Sequence, residues 1–111
     1  MNTPNPQRGE IWWVSLDPTQ GAEIKKTRPC VILTNDTLNR IRRTVVVVPL
    51  STAAKQHPPI TIPVACKGKP VVAVIDQIRA VAKHRLTSKL DTLSDSDLDS
   101  LSSAVSTILE L

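Results

Sequence analysis

Thr44-Val45-Val46-Val47-Val48-Pro49-Leu50 is the stretch that decides the fold class. A threonine followed by four valines is stiff at χ1 and packs well on a pleated surface, so residues 44–50 are expected to form a central strand ending at Pro49. Outward from it the same signal repeats. Residues 29–33 are a second apolar strand, residues 71–78 a further buried one that 79–82 can continue, and residues 11–16 alternate with bulk on both faces. Residues 60–64 alternate with Thr and Pro, and Pro63, which has no N–H to give to a ladder, marks an edge strand. Between strands, Asp17-Pro18-Thr19-Gln20-Gly21 supplies turn chemistry and opens a long polar loop through Thr27. Asn35 and Asp36 start a short helical or irregular connection up to residue 43. Only the last element changes period. Leu98, Leu101, Val105 and Ile108 fall three and four apart behind a cap at Ser94 or Asp95, which predicts one amphipathic helix of about four turns packed on the sheet. The expected class is mainly β with a C-terminal α-helix.

With 111 residues there is room for one core, so residues 1–111 are expected to form a single domain with 1–7 as a flexible N-terminus. Phe and Tyr are absent and the only aromatics are Trp12 and Trp13, so the core must be packed from Val, Ile and Leu. No apolar stretch nears the roughly 18 residues that span a bilayer, and residues 1–8 lack the basic-then-apolar order of a signal peptide. The expected location is the cytoplasm, without membrane contact. In a reducing compartment Cys30 and Cys66 act as small hydrophobes, and with two scattered histidines they lack the spacing of a zinc set. There is no glycine-rich phosphate loop and no Gly-x-Ser-x-Gly, so neither a metal nor a cofactor is expected. Charge is segregated along the chain: all 14 Lys and Arg precede residue 91, whereas five of the ten Asp and Glu follow residue 90. A basic body beside an acidic helix suits a polyanion bound away from that helix.

Polar residues gather at strand ends. Glu23, Lys25, Lys26 and Arg28 lie in the first long loop, Ser51 and Thr52 follow Pro49-Leu50, and Asp76 and Gln77 interrupt an apolar run. The segment Arg8-Gly9-Glu10-Ile11-Trp12-Trp13-Val14-Ser15-Leu16-Asp17-Pro18, continued by Gly21-Ala22-Glu23 and Thr27-Arg28-Pro29, resembles the first motif of the MazF/PemK family. Val48-Pro49-Leu50-Ser51-Thr52 resembles the second, and Asp76-Gln77-Ile78-Arg79 with Arg85-Leu86 the third. These motifs come in the family's order and spread over most of the chain. The resemblance implies a small SH3-like, CcdB/PemK-like antiparallel β-barrel with a C-terminal helix, and a homodimer. It also implies a sequence-specific, metal-independent endoribonuclease that cuts single-stranded RNA, mRNA included, and is neutralised by a MazE/PemI-type antitoxin. Where the family more often has Thr in its second motif this chain has Ser51, which keeps the hydroxyl.

The residues can also be read for chemistry alone. Cutting RNA without a metal requires a base for the ribose 2′-OH, donors for the charge on the phosphoryl oxygens and an acid for the leaving 5′-oxygen. Arg28 offers a planar fork of donors matched to two phosphate oxygens, Glu23 is the candidate base, and Ser51 is a candidate donor with Thr52 as its substitute. Taken singly, each has a plainer fate: an Arg28–Glu23 surface ion pair, and turn residues at 51 and 52. Lys25, Lys26, Lys55 and Arg79 are expected on a phosphate track together with Arg40, Arg42 and Arg43. Asp76 and Gln77 either read bases or satisfy backbone groups at a sheet edge; Trp13 is a stacking platform or a dimer contact, and Trp12 a core residue. His57 and His84 offer a rival acid–base pair, but neither falls on a motif position. Two rival functions remain. A CcdB-like, non-enzymatic poison of DNA gyrase would want an aromatic anchor where Leu109-Glu110-Leu111 stands, and a peptide-binding SH3-like module would want an aromatic groove.

Overall fold

The computed structural model describes residues 4–16 and 26–111. Seven strands and two α-helices follow in the order β1 (Glu10–Leu16), β2 (Lys26–Ile32), α1 (Asp36–Ile41), β3 (Thr44–Ser51), β4 (Thr61–Cys66), β5 (Lys69–Val74), β6 (Arg79–Ala82), β7 (Leu86–Thr92) and α2 (Asp95–Leu109). All pairings are antiparallel, and the sheet runs β4-β5-β3-β2-β1-β7, with β6 also on β3. The valine run is the hub, as expected. Thr44 to Val47 pair with β6, Leu50 and Ser51 pair with β5, and Cys30 to Ile32 of β2 hold the other edge.

Between β5 and β6 a 3-10 turn, Ile75–Gln77, interrupts what reads as one strand over residues 71–82. The interruption faces Val48 and Pro49, which have no ladder partner on that edge. Pro49 therefore sits inside β3 rather than ending it, in the gap where a missing N–H is tolerated. Two further expectations change. β2 starts at Lys26, so Arg28 belongs to a strand and not to the loop. β7 was not expected at all, because its sequence LTSKLDT carries too little apolar alternation to stand out.

The two faces of the sheet carry separate cores. Val14, Cys30, Ile32, Val45, Val47, Val81 and Leu86 are enclosed by the curl of β6-β3-β2-β1-β7, with Trp12 and Leu16 packed against them. On the other face Ile11, Val31, Val48, Leu50, Ile62, Val64 and Ile75 meet Leu101 and Ala104 of α2. Ser94 caps that helix, its Oγ accepting from the Asp97 N–H at 3.1 Å, and Asp95 and Asp97 fill the first turn. Gly9 lets β1 enter beneath the helix: it has φ +90°, and a Cβ there would lie 3.1 Å from Leu98 Cδ2.

The two edge strands, β4 and β7, share no ladder, so the barrel-like sheet is open. Carboxylates bridge the opening instead. Asp91 Oδ2 accepts from the Lys67 N–H at 2.7 Å, and Asp97 Oδ2 accepts from the Ala65 N–H at 2.8 Å. Pro63 shares their parity on β4, where an outward N–H would have no strand to reach. In the N-terminal stretch expected to be flexible, Pro6 is fully buried and the Gln7 N–H donates to Glu10 Oε1 at 2.8 Å.

Candidate functional site

The β2–β3 register brings the first two motifs together. It pairs Ile32 with Val47, Val31 with Val48 and Cys30 with Pro49; continued by two residues, it sets Arg28 opposite Ser51. Alternation puts Arg28, Cys30 and Ile32 on one face of β2, and Val47, Pro49 and Ser51 on the same face of β3. Arg79 joins them, because its partner on β3 is Val47. Cys30 reports the same neighbourhood: burial pushes its thiol up to about 12, while the guanidinium groups of Arg79 and Arg28 pull against that rise. Arg28 is half-buried, Arg79 is exposed, and neither makes an ion pair among the described residues.

Ser51 is preset as a donor. Its Oγ accepts from the backbone N–H groups of Ala53 and Ala54, both at 3.1 Å, which engages the oxygen's lone pairs and leaves the O–H free to point outward. Thr52, next along the chain, is exposed and makes no such pair of bonds. Lys55 follows on the same connection and is also exposed, its carbonyl accepting from Thr61 Oγ1 at 2.6 Å. Asp76 and Gln77 are exposed on the 3-10 turn that packs on β3 between the levels of Ser51 and Arg79, so they flank the site, and their side chains make no hydrogen bond to the described chain.

Other expected residues fall elsewhere. Trp13 shares the face of Ile11 and Val31, opposite to that of Arg28, and is half-buried. Arg40, Arg42 and Arg43 lie at the Thr44 end of β3, the far end from Ser51, so they do not share one compact track with Lys55. His84 sits at that far end too, in the 3-10 turn Lys83–Arg85, and His57 lies in an isolated bridge with Thr61, so the two histidines do not form a pair. Glu23 and Lys25 lie outside the described residues, as does the side chain of Lys26, whose backbone pairs with Leu16. Sequence reasoning missed one member of this region. Glu10 Oε1 accepts from Trp12 Nε1 at 2.9 Å and its Oε2 meets Lys89 Nζ at 3.0 Å, so a half-buried carboxylate holds Trp12 in place. A carboxylate two residues before a tryptophan on one strand face is the signal that points to it.

Among the described residues, no group of three or more His, Cys, Asp or Glu is placed to hold a metal ion, and no helix is long and apolar enough to cross a membrane. A positively charged strand face with one oriented hydroxyl can hold a phosphodiester and stabilise extra charge on it.

Residues 7–109 match the family model described as PemK-like, MazF-like toxin of type II toxin-antitoxin system. The chain is 37% identical to Endoribonuclease MazF9 of Mycobacterium tuberculosis, covering 95% of this chain and 97% of that protein. To Endoribonuclease PemK of Escherichia coli it is 35% identical, covering 93% and 81%. The crystal structure of MazF (Form-I) from Deinococcus radiodurans superposes with a TM-score of 0.83 over 97% of this chain and 99% of that one, at 20% identity, a likeness of fold.

Proposed function

We propose, from the premise that this chain belongs to the PemK-like, MazF-like toxins of type II toxin-antitoxin systems, that it cuts single-stranded RNA by attack of a ribose 2′-OH and needs no metal to do so. The chain is an endoribonuclease toxin neutralised by a cognate antitoxin. A non-enzymatic gyrase poison of the CcdB kind is the weaker reading for a chain whose relatives carry endoribonuclease names.

The observation that carries the mechanism is the β2–β3 register, which, continued two residues past its last pair Cys30–Pro49, puts Arg28 opposite Ser51, with Arg79 on the same face. The 2′-oxygen attacks the adjacent phosphorus, the P–O5′ bond breaks, and the products are a 2′,3′-cyclic phosphate and a 5′-hydroxyl. Arg28 lays its fork on two phosphoryl oxygens and stabilises the charge that grows there. Ser51 donates its free O–H to a non-bridging oxygen, and its two backbone bonds favour it over Thr52. Glu23 takes the 2′-proton, and a proton from solvent water completes the 5′-hydroxyl as the P–O5′ bond breaks. Lys25, Lys26, Lys55 and Arg79 neutralise flanking phosphates, while Asp76 and Gln77 contact bases. Duplex RNA suits this site poorly, because bases are read when splayed from a single strand.

The proposal includes a homodimer working in the cytoplasm. The thiols of Cys30 and Cys66 are both free and raised by burial, which fits a reducing compartment. Sedimentation at micromolar protein checks the dimer. Incubating purified protein with a long RNA in excess EDTA and sequencing the fragment ends tests the chemistry: cyclic-phosphate ends are expected. Cleavage that returns only on adding a divalent ion, or equal cleavage of a strand with 2′-deoxyribose at the cut, would overturn it.

A further inference from the structure

Building on the cleavage reading, we propose that the enzyme holds a long strand: beyond the cut, RNA runs along the outer edge of β6 to a second set of phosphate contacts, Arg40, Arg42, Arg43 and Lys83. These residues stand at the opposite end of β3 from Ser51. β3 spans Thr44–Ser51, which at ~3.3 Å per residue separates its ends by about 23 Å. The Lys83 N–H donates to the Arg43 carbonyl at 2.8 Å, so the turn after β6 and the connection between α1 and β3 form one surface. Arg40, Arg42 and Arg43 are exposed, Lys83 is half-buried, and none of the four is in an ion pair among the described residues. Four gathered cations, none in an ion pair among the described residues although Asp36 lies one turn before Arg40 on α1, cost repulsion that a polyanion relieves.

The route between the two ends is also visible. Arg79, paired with Val47, is exposed at the midpoint of β3, and Ala80 after it is exposed and small. β6 pairs only with β3 among the described strands, so its outer edge presents backbone donors along this line. At the ~3.4 Å stacked spacing of one strand, the distance corresponds to about seven nucleotides, and to fewer if the strand is extended. A protein partner would find Leu38 and Ile41 beside the arginines, 39% and 70% exposed. Cations at both ends of β3, with Arg79 on β6 between them, favour RNA.

The test compares wild type with the triple variant R40Q/R42Q/R43Q, whose side chains are all exposed. The substrates are synthetic RNAs that share a mapped cleavage site: one trimmed closely around the cut, one extended on the 5′ side and one on the 3′ side. For wild type, extension on one side should raise kcat/KM by about tenfold and steepen its salt dependence. In the variant that gain should vanish and the log–log salt slope should fall by about two, the share of three single-strand phosphate contacts. The trimmed RNA should be cut at the wild-type rate. The proposal is overturned if the variant keeps the extension gain, or if it loses equally on trimmed and extended strands. It is also overturned if the variant binds its antitoxin more weakly while long RNA is cut normally, which would make the patch a protein surface. If wild type cuts none of these strands, the cleavage reading fails by itself. Anisotropy binding of the same strands then decides the track by the same length dependence.

Discussion

Under the proposed mechanism Arg28 separates catalysis from binding, because its fork would act on charge that exists only in the transition state. Arg28→Ala should lower single-turnover cleavage by at least about a hundredfold, the scale of losing one preorganised donor. RNA affinity should fall much less, since other cations still neutralise phosphates. Arg28→Lys keeps the charge and loses the fork, so it should remain badly impaired; near-normal cleavage by that variant would reduce Arg28 to a phosphate counter-charge. Glu10 supplies the pH dependence. Burial raises its carboxyl, but the bonds from Trp12, the Gln7 N–H and Lys89 outweigh that, so it titrates below its ordinary value of 4.5. A depressed carboxyl contributes stability that is complete above the ordinary value and is lost as pH falls through the lowered one. Glu10→Gln should therefore melt below wild type at neutral pH, and the gap should close as pH drops below 4.5. A gap that stays constant with pH would assign the loss to packing and not to charge.

Helix α2 covers the core on one face of the sheet through a single stripe, with Leu101 fully buried at its centre. Leu101→Ala removes that contact without altering the cap or the acidic first turn, and should cost about 2 to 5 kcal/mol in a denaturant titration. An unchanged midpoint would mean the helix docks by its ends. This element was legible in the sequence because its cap and its apolar spacing are local signals, and so was β3, whose valines leave little alternative. β7 was not, because a polar edge strand is held by its neighbour β1 and carries no period of its own. The break between β5 and β6 was equally hidden, since residues 71–82 are apolar enough to run on and only the shape of β3 decides where pairing stops. The site divides in the same way. Arg28 and Ser51 were identifiable as motif residues, but their opposition depends on the β2–β3 register, which joins positions 23 residues apart. Trp13 reads from sequence as a stacking platform or a dimer contact, and pairing along β1 puts it on the face opposite Arg28.

Over the whole molecule, charge and topology divide the labour. Two acidic residues of the terminal segment, Asp91 and Asp97, close the sheet against the backbone N–H groups of Lys67 and Ala65, while Arg28 and Arg79 lie on the sheet face opposite to α2. An antitoxin that neutralises such a toxin has a direct electrostatic route, an acidic segment laid over Arg28 and the lysines before it. The two ligands would then exclude each other, because both use the same donors and only one set of counter-ions can be released from them. Titrating purified antitoxin into toxin with a fluorescent, uncleavable 2′-deoxy strand should raise the apparent Kd for the strand in proportion to free antitoxin, with no plateau. Raising salt should weaken both ligands, since both are held by charge. A plateau in that titration, or inhibition with strand affinity untouched, would mean that the antitoxin acts from a distance by changing the conformation of the site.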